Sequence, residues 1–151
     1  MAKNKLILPA QYAENTNIMV RDRQSNMDRM PAIYSMYVDN CRKSNAMDFD
    51  DLLVYTFRLF HENPEVRDKY RERYRFVLVD EYQDTNSAQD KLFKILSNGK
   101  NRFMVGDVKQ SIYKFRLAKP ELFLKKYESY GKEDGLYQKI ELHKNFRSRP
   151  E

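Results

Sequence analysis

Glycine is scarce in this sequence: only four of the 151 residues are glycine, at positions 99, 106, 131 and 135. None of them belongs to the phosphate-binding loop Gly-x-x-x-x-Gly-Lys-Ser/Thr, since Gly99-Lys100 is followed by Asn101. That loop holds nucleotide phosphates with its backbone N–H groups and its lysine. We therefore expect the isolated chain to bind ATP poorly and to hydrolyse it negligibly.

Cysteine and long apolar runs are also scarce. The single Cys41 excludes an internal disulfide and is compatible with a reducing compartment. Without a membrane-length apolar run or a signal-peptide pattern, we expect a cytoplasmic chain with no membrane contact. Charged residues make up 33% and hydrophobic residues 41%, which is typical of a globular domain. The net charge of +6 favours an anionic partner such as nucleic acid, although many basic proteins bind none.

Two short apolar runs end in acids. The run Phe76 to Val79 is too short for a helix and rich in β-branched and aromatic residues, so it predicts a strand buried on both faces. It stops at Asp80 and Glu81, and a second run, 102–105, stops at Gly106 and Asp107. Parallel strands present ligand sites at their carboxyl ends, and Mg²⁺ is held there by carboxylates, phosphates and water.

The apolar spacing predicts helices around these strands. We expect an α/β fold: a short parallel sheet with flanking helices and a helical N-terminal part. The predicted strands lie near 75–80, 102–106 and 138–142. The predicted helices run over 22–43, 49–61, 65–73, 86–97 and 120–130, with Pro31 as a kink or a start within the first and with Asp48 and Asn86 as N-caps.

Three segments resemble motifs of superfamily 1 DNA helicases of the UvrD/Rep/PcrA type. Val79–Asp84 resembles their Walker B motif, 105–116 their motif III and 142–148 their motif IV, in the family's order. Residues 47–53 resemble a shorter motif that precedes Walker B. The resemblance identifies the chain as a helicase fragment covering the Walker B to motif IV region, with a partial RecA-like (P-loop NTPase) domain.

The resemblance also implies a division of the chain. Residues 1–46 would end a 1B-like subdomain, 47–135 would form a partial RecA-like 1A core, and 136–151 would begin domain 2A. The front, to about Asn86, is similar to UvrD and PcrA. The back, especially 103–123, is most similar to AddA, the helicase-nuclease subunit of bacterial double-strand-break repair, so we expect either an AddA relative or a composite chain.

The resemblance assigns roles at the nucleotide site of the intact parent, whose cofactors would be ATP and Mg²⁺. Asp80 would hold Mg²⁺ through water, and Glu81 would orient or deprotonate the attacking water. Gln110 would sense the γ-phosphate, Arg147 would act as an arginine finger and Phe146 would stack on adenine. We expect this chain to bind neither cofactor tightly.

A second set of residues would contact single-stranded DNA. Tyr113, Lys114 and Phe115 combine aromatic rings with positive charge, and stacking of a base on a ring contributes about 1–3 kcal/mol. Gln83 and Asp84 are expected to hold the loop and its neighbours in place. Other expected partners are the remaining helicase domains, a partner subunit of a nuclease complex, and a second copy of the chain across an open sheet edge.

Three functions stay open at this point. The first is a fragment of an ATP-dependent DNA helicase or translocase acting in DNA repair or recombination, an enzyme family although this chain by itself is expected to be inactive. The second is a non-catalytic nucleic-acid-binding module. The third is a metal-dependent nuclease built on Asp80, Glu81 and Asp107, which would leave Gln110 and residues 145–147 unexplained.

Overall fold

The computed structural model describes residues 2–110, 118–131 and 135–142. Within these ranges the chain forms seven α-helices and one two-stranded parallel sheet, consistent with the expected α/β class. The helices are α1 (Pro9–Glu14), α2 (Thr16–Gln24), α3 (Met30–Lys43), α4 (Phe49–Glu62), α5 (Pro64–Arg73), α6 (Ser87–Leu96) and α7 (Pro120–Ser129). The strands are β1 (Val77–Val79) and β2 (Arg102–Met104), and short 3-10 turns lie at Lys3–Lys5, Tyr82–Asp84 and Val108–Gln110.

Local chemistry explains where the central helices begin. The Asp48 side chain accepts a hydrogen bond from Asp51 N at the start of α4, and the Asp51 side chain accepts one from Asp48 N in return. At the start of α6, the Asn86 side chain accepts hydrogen bonds from the N–H groups of Ala88 and Gln89. These contacts satisfy backbone donors that a helix leaves unpaired in its first turn, and both predicted N-caps are confirmed.

Pro31, which the sequence predicts as a kink or a start within the helix over 22–43, lies in the first turn of a new helix, so residues 22–43 do not form one continuous helix. The chain instead ends α2 at Gln24 and begins α3 at Met30. Asn26 has a φ of 54°, in the left-handed region, and Met27 N donates to Asp22 O at 2.7 Å, so the backbone turns sharply here. The apolar stripe that the prediction placed in the core is only partly inside: Val38 is buried, whereas Ile33 is exposed.

The two predicted parallel strands that precede the acids are confirmed, in the register Val77 to Arg102, Leu78 to Phe103 and Val79 to Met104. Their burial is not as predicted. Leu78 is 72% exposed and Phe103 is 55% exposed, so β1 and β2 are covered on only one face. Successive side chains of a strand point to opposite faces, so the face that carries these two residues is largely open.

The third predicted strand, near 138–142, is also wrong. Residues 139–142 form no strand, and Gln138 makes one isolated parallel bridge with Gly131. Ile140 and Leu142 are largely exposed. Alternating hydrophobicity gives a strand only where a neighbouring strand supplies backbone hydrogen bonds, and here the described part of the chain supplies that single bridge.

The main core lies between helices. α4 packs against both α5 and α6, and its Val54 and Phe60 are buried together with Ala88 of α6. Phe60 also meets the Tyr70 ring of α5 edge-on, with 5.3 Å between the ring centroids. None of the helices in the described ranges has both the length and the apolar character needed to cross a bilayer.

Candidate functional site

The acids predicted as the site follow directly after β1. Both Asp80 and Glu81 are exposed, and Asp80 Oδ1 accepts a hydrogen bond from Glu81 N at 2.8 Å. Glu81 has a φ of 49°, a left-handed conformation that costs a residue with a side chain of order 1–3 kcal/mol. The chain therefore reverses sharply at Glu81, and the 3-10 turn Tyr82–Asp84 follows at once.

Gln83 joins the two strand ends. Its side chain is fully buried, its Nε2 donates to Glu81 Oε2 at 2.6 Å, and its Oε1 accepts from the backbone N–H of Asp107 at 3.0 Å. The backbone adds two bonds across the same ends, from Val105 N to Val79 O and from Tyr82 N to Val105 O, each 2.8 Å long. The acid-bearing ends of β1 and β2 are thus held together by both side chain and backbone.

Gly106 allows this close approach. A Cβ atom added to Gly106 would lie 2.5 Å from Gln83 Oε1 and 3.3 Å from Cε2 of Phe123 in α7. The first separation is well inside van der Waals contact. Any other residue at this position would therefore displace Gln83 or the strand end that carries Asp107.

Asp107 in turn holds Gln110. Gln110 Nε2 donates to Asp107 Oδ2 at 3.0 Å, and Lys109 N donates to Asp107 Oδ1 at 2.9 Å. The Gln110 bond, followed by the Lys109 bond, lowers the pKa of the Asp107 carboxyl below its ordinary value, so this group is a carboxylate at neutral pH. An unbroken series of hydrogen bonds therefore runs from Glu81 through Gln83 and Asp107 to Gln110.

A buried polar cluster lies next to the turn that follows β1. The hydroxyl of Tyr82, a fully buried residue, donates to the Asp90 carboxylate, which also forms ion pairs with Lys94 at 2.8 Å and Lys126 at 3.2 Å. Burial by itself raises the pKa of Asp90, but hydrogen bonds from Lys94 and Tyr82 outweigh it and leave the pKa below its ordinary value. The cluster joins α6 and α7 to the turn after β1.

A second polar cluster holds the N-terminus, and the sequence offered no local signal for it. Lys3 is almost wholly buried and pairs with Asp48 at 2.6 Å and Asp51 at 2.7 Å, at the start of α4. The Tyr37 hydroxyl donates to the same Asp48 carboxylate at 2.8 Å. Burial raises the pKa of Asp48, but its hydrogen bonds with Lys3 and then Tyr37 lower it to about 2. Because 45 residues separate Lys3 from Asp48, only the tertiary structure reveals the pair.

The structure brings together some of the predicted site residues. It links Glu81 to Gln110 through Gln83 and Asp107, and it places Asp80 next to Glu81. The predicted roles of Tyr113, Lys114, Phe115, Phe146 and Arg147 fall on residues outside the described ranges. Gln83 holds the loop as expected, but the close approach at Gly106 was missed, and its only sequence signal was a glycine between a strand and an acid.

The nuclease hypothesis needs several metal ligands in one place. Among residues 2–110, 118–131 and 135–142, no three carboxylate, histidine or cysteine side chains are grouped so that they could hold a metal ion. Asp80, Glu81 and Asp107 therefore do not form the carboxylate cluster that a two-metal nuclease requires.

The sequence of the chain matches a known protein family. The family described as the UvrD/REP helicase N-terminal domain matches residues 1–131. The chain belongs to that family. The UvrD/REP-type chain is also similar to proteins of lactic acid bacteria and streptococci. It is 47% identical over 118 residues to the exonuclease/helicase subunit RexA of Lactococcus lactis subsp. cremoris MG1363 and to an ATP-dependent helicase/nuclease subunit of strain SK11 of the same subspecies.

The matched part of these relatives is short. For both Lactococcus proteins the match covers 78% of this chain and 10% of the relative. An ATP-dependent helicase/nuclease subunit of Streptococcus pneumoniae Hungary19A-6 is 47% identical over 115 residues, which cover 76% of this chain and 10% of that protein. The UvrD/REP-type chain thus spans about a tenth of the length of the curated relatives that it matches.

The comparisons correct the region of the chain to which the resemblance was assigned. The identification as a fragment covering the Walker B to motif IV region, with its AddA likeness in the back half, is wrong. The family match begins at residue 1 and ends at 131, before residues 142–148, and the helicase-nuclease relatives match the N-terminal region of the chain. Short motifs are shared by many members of a superfamily, so they do not locate a chain within it. A match over more than a hundred residues also includes the residues of the packed helices.

Proposed function

We propose that this chain supplies the nucleotide-facing edge of the ATPase domain in a UvrD-type DNA helicase that acts in DNA repair or recombination. The proposal depends mainly on one observation, the hydrogen-bond series from Glu81 to Gln110 across the ends of two parallel strands. An α/β sheet places ligands at the carboxyl ends of its strands, and these ends meet there. The relatives are named as helicase/nuclease subunits, which supports the same assignment.

The donor set fits a magnesium nucleotide. Asp80 and Glu81 present exposed carboxylate oxygens, the ligand type that Mg²⁺ prefers, and hydrogen bonds through Gln83 and Asp107 connect Glu81 to the exposed amide of Gln110. Bound Mg²⁺ would neutralise charge on the phosphates, which is most of what phosphoryl transfer needs. In this proposal Asp80 faces the metal through water, Glu81 orients or deprotonates the attacking water, and Gln110 donates an amide hydrogen bond to the terminal phosphate. The partial RecA-like character of the domain is part of the same proposal.

Grafting tests the catalytic roles. The 118-residue matched segment of this chain would replace its counterpart in the ATP-dependent helicase/nuclease protein of L. lactis subsp. cremoris SK11, and DNA-stimulated phosphate release would be measured. We expect the graft to be active and Glu81→Gln to lower kcat by on the order of 100-fold or more, because a general base is lost. Glu65→Gln, at an exposed position in the first turn of α5, is the matched control. An active graft that tolerates Glu81→Gln would refute the assignment.

The isolated chain gives an independent test. Because it lacks a phosphate-binding loop, we expect no DNA-stimulated phosphate release from MgATP by the 151-residue chain. Stimulated release above a no-protein control would contradict this expectation. Four further expectations stay predictions: binding to single-stranded DNA, association with further helicase domains, a cytoplasmic location and a partner in a nuclease complex. The same holds for the roles of Tyr113, Lys114, Phe115, Phe146 and Arg147.

A second candidate function is nucleic-acid binding without catalysis. It is favoured by the exposed run Arg73-Tyr74-Arg75-Phe76 before β1, which alternates cations with aromatic rings. Such a surface suits phosphates and stacked bases together. Fluorescence anisotropy with a labelled oligo-dT at low and high salt separates the candidates. MgATP is added at concentrations high enough to occupy a weak nucleotide site. Salt-sensitive binding that is then indifferent to MgATP favours the binding module, whereas a change in DNA affinity favours the motor.

A further inference from the structure

We infer that Gln83 is a positioning residue that ties the orientation of the Glu81 carboxylate to the location of the strand end carrying Asp107 and Gln110. The inference rests on the proposed function for the role of Glu81 and for a phosphate ligand at Gln110. The structural part of the inference is that the buried Gln83 amide fixes the ends of both strands, and this part does not depend on the proposed function. Gln83 itself lies buried behind Glu81 and is not placed in contact with nucleotide.

The partners of Gln83 determine which way its amide faces. A carboxylate oxygen such as Glu81 Oε2 only accepts, and a backbone N–H such as that of Asp107 only donates, so Nε2 must face the first and Oε1 the second. The bond to Glu81 is charge-assisted and short at 2.6 Å, which is typical of a strong hydrogen bond. Turning the amide over would put two acceptors together and two donors together, and would lose both bonds.

The amide is rigid, so its two bonds are coupled. Its oxygen and nitrogen lie in one plane on the same carbon atom, and any movement of the Asp107 N–H that draws Oε1 along also moves Nε2 and the Glu81 carboxylate. The backbone of Gly106 lies against the amide oxygen, and the Phe123 ring of α7 borders the same gap. Because this space is closely packed, the side chain has no room to absorb such a movement by changing its rotamer.

Gln110 is the exposed end of the hydrogen-bond series that begins at Glu81. Its amide N–H donates to Asp107 Oδ2. When Gln110 donates to a phosphate oxygen instead, Asp107 loses a hydrogen bond, and the change passes through the Asp107 N–H to Gln83 and then to Glu81. Gln83 thus makes the placement of the acid respond to whether Gln110 has a ligand.

Nuclear magnetic resonance on the 151-residue chain tests this coupling without needing catalysis. We expect Gln83→Met, which keeps the length of the side chain but loses both bonds, to speed hydrogen exchange of the Asp107 amide by about tenfold or more and to shift the Glu81 carboxyl carbon resonance.

The exposed Gln110 provides a variant that leaves the buried amide in place. We expect Gln110→Ala to shift the side-chain amide resonances of Gln83, two hydrogen bonds away. Gln89→Met is the matched control: Gln89 also uses its amide locally, accepting from Asn86 N at 2.9 Å, so its loss should weaken α6 but leave Asp107 exchange unchanged. Unchanged Gln83 resonances in Gln110→Ala, or unchanged Asp107 exchange in Gln83→Met, would overturn the inference.

A separate measurement on the wild-type chain keeps the two proposals apart. Because the chain lacks a phosphate-binding loop and should bind nucleotide weakly, Mn²⁺ and ATP are added at concentrations high enough to occupy a weak site. They are then expected to broaden the backbone resonances of Asp80 and Glu81 selectively if this edge faces a metal nucleotide. Loss of that effect counts against the proposed function and leaves the positioning result standing. Selective broadening combined with no coupling in the Gln83 and Gln110 variants counts against the positioning role of Gln83 alone.

Discussion

Gly106 passes so close to Gln83 that a Cβ atom added to Gly106 would lie 2.5 Å from the Gln83 side-chain oxygen. The contact places a buried amide between the two strand ends that carry the candidate site. Stability of the strand ends and geometry of the site therefore depend on the same atoms, and substitutions here should affect both.

Replacing Gly106 by alanine should destabilise the fold by about 1–3 kcal/mol, because overpacking forces Gln83 or the Asp107 backbone to move. Urea denaturation followed by circular dichroism measures the change in the free energy of unfolding. Gly135→Ala is the control, since among the described residues a Cβ at Gly135 would meet only Tyr137 O, at 4.0 Å. Equal stability of the two variants would contradict the close contact.

Replacing Lys3 by methionine should cost on the order of 3 kcal/mol, the low end for breaking a buried ion pair, because Asp48 keeps some contact with solvent. Asp51, almost wholly buried, would lose its ion-pair partner. The free energy of unfolding again provides the measurement, with Lys5→Met in the same 3-10 turn as an exposed control. A Lys3 variant as stable as the Lys5 variant would show that the pair contributes nothing.

Acid should weaken the same cluster in a defined pH range. The pKa of Asp48 is about 2 in the folded chain, below its ordinary value of 3.8, so the ionised form favours folding. This contribution is complete above about pH 4 and is lost as the pH falls from there towards 2. Thermal melts recorded between pH 5 and pH 2, in steps of about half a pH unit, would show this loss of stability. Asp48→Asn, which keeps an N-capping residue, should flatten the profile, and an unchanged profile would count against the assignment.

The uncovered face of the sheet should make the isolated chain self-associate, whereas the sequence led us to expect association across an open sheet edge. Leu78 and Phe103 are neighbours in the register and both largely exposed, and contiguous exposed apolar surface favours association. Sedimentation velocity at increasing concentration should show a shift to larger species, which Leu78→Lys reduces. Ile140→Lys, at another exposed apolar position, should leave it in place. Equal effects of both lysines would assign the association to general hydrophobicity.

Some of the structure was predictable because local chemistry decides it. The N-caps at Asp48 and Asn86 depend on side chains bonding to backbone groups two or three residues away. The acids at the end of β1 were equally visible, because they follow directly on the apolar run that forms the strand. The third strand failed for the opposite reason, since a strand needs a partner and alternation near 138–142 does not indicate whether one is present.

The amino-acid order by itself determined the starts of α4 and α6, the two apolar runs and the acids that follow them, since each depends on neighbours within one turn or one strand. Only the tertiary structure decided that Gln83 reaches Asp107, that Lys3 pairs with Asp48, and that one face of β1 stays uncovered. Those outcomes join residues 24 and 45 positions apart, or depend on which element packs over a strand. Packing of the whole chain sets such distances, and no local pattern of residues encodes them.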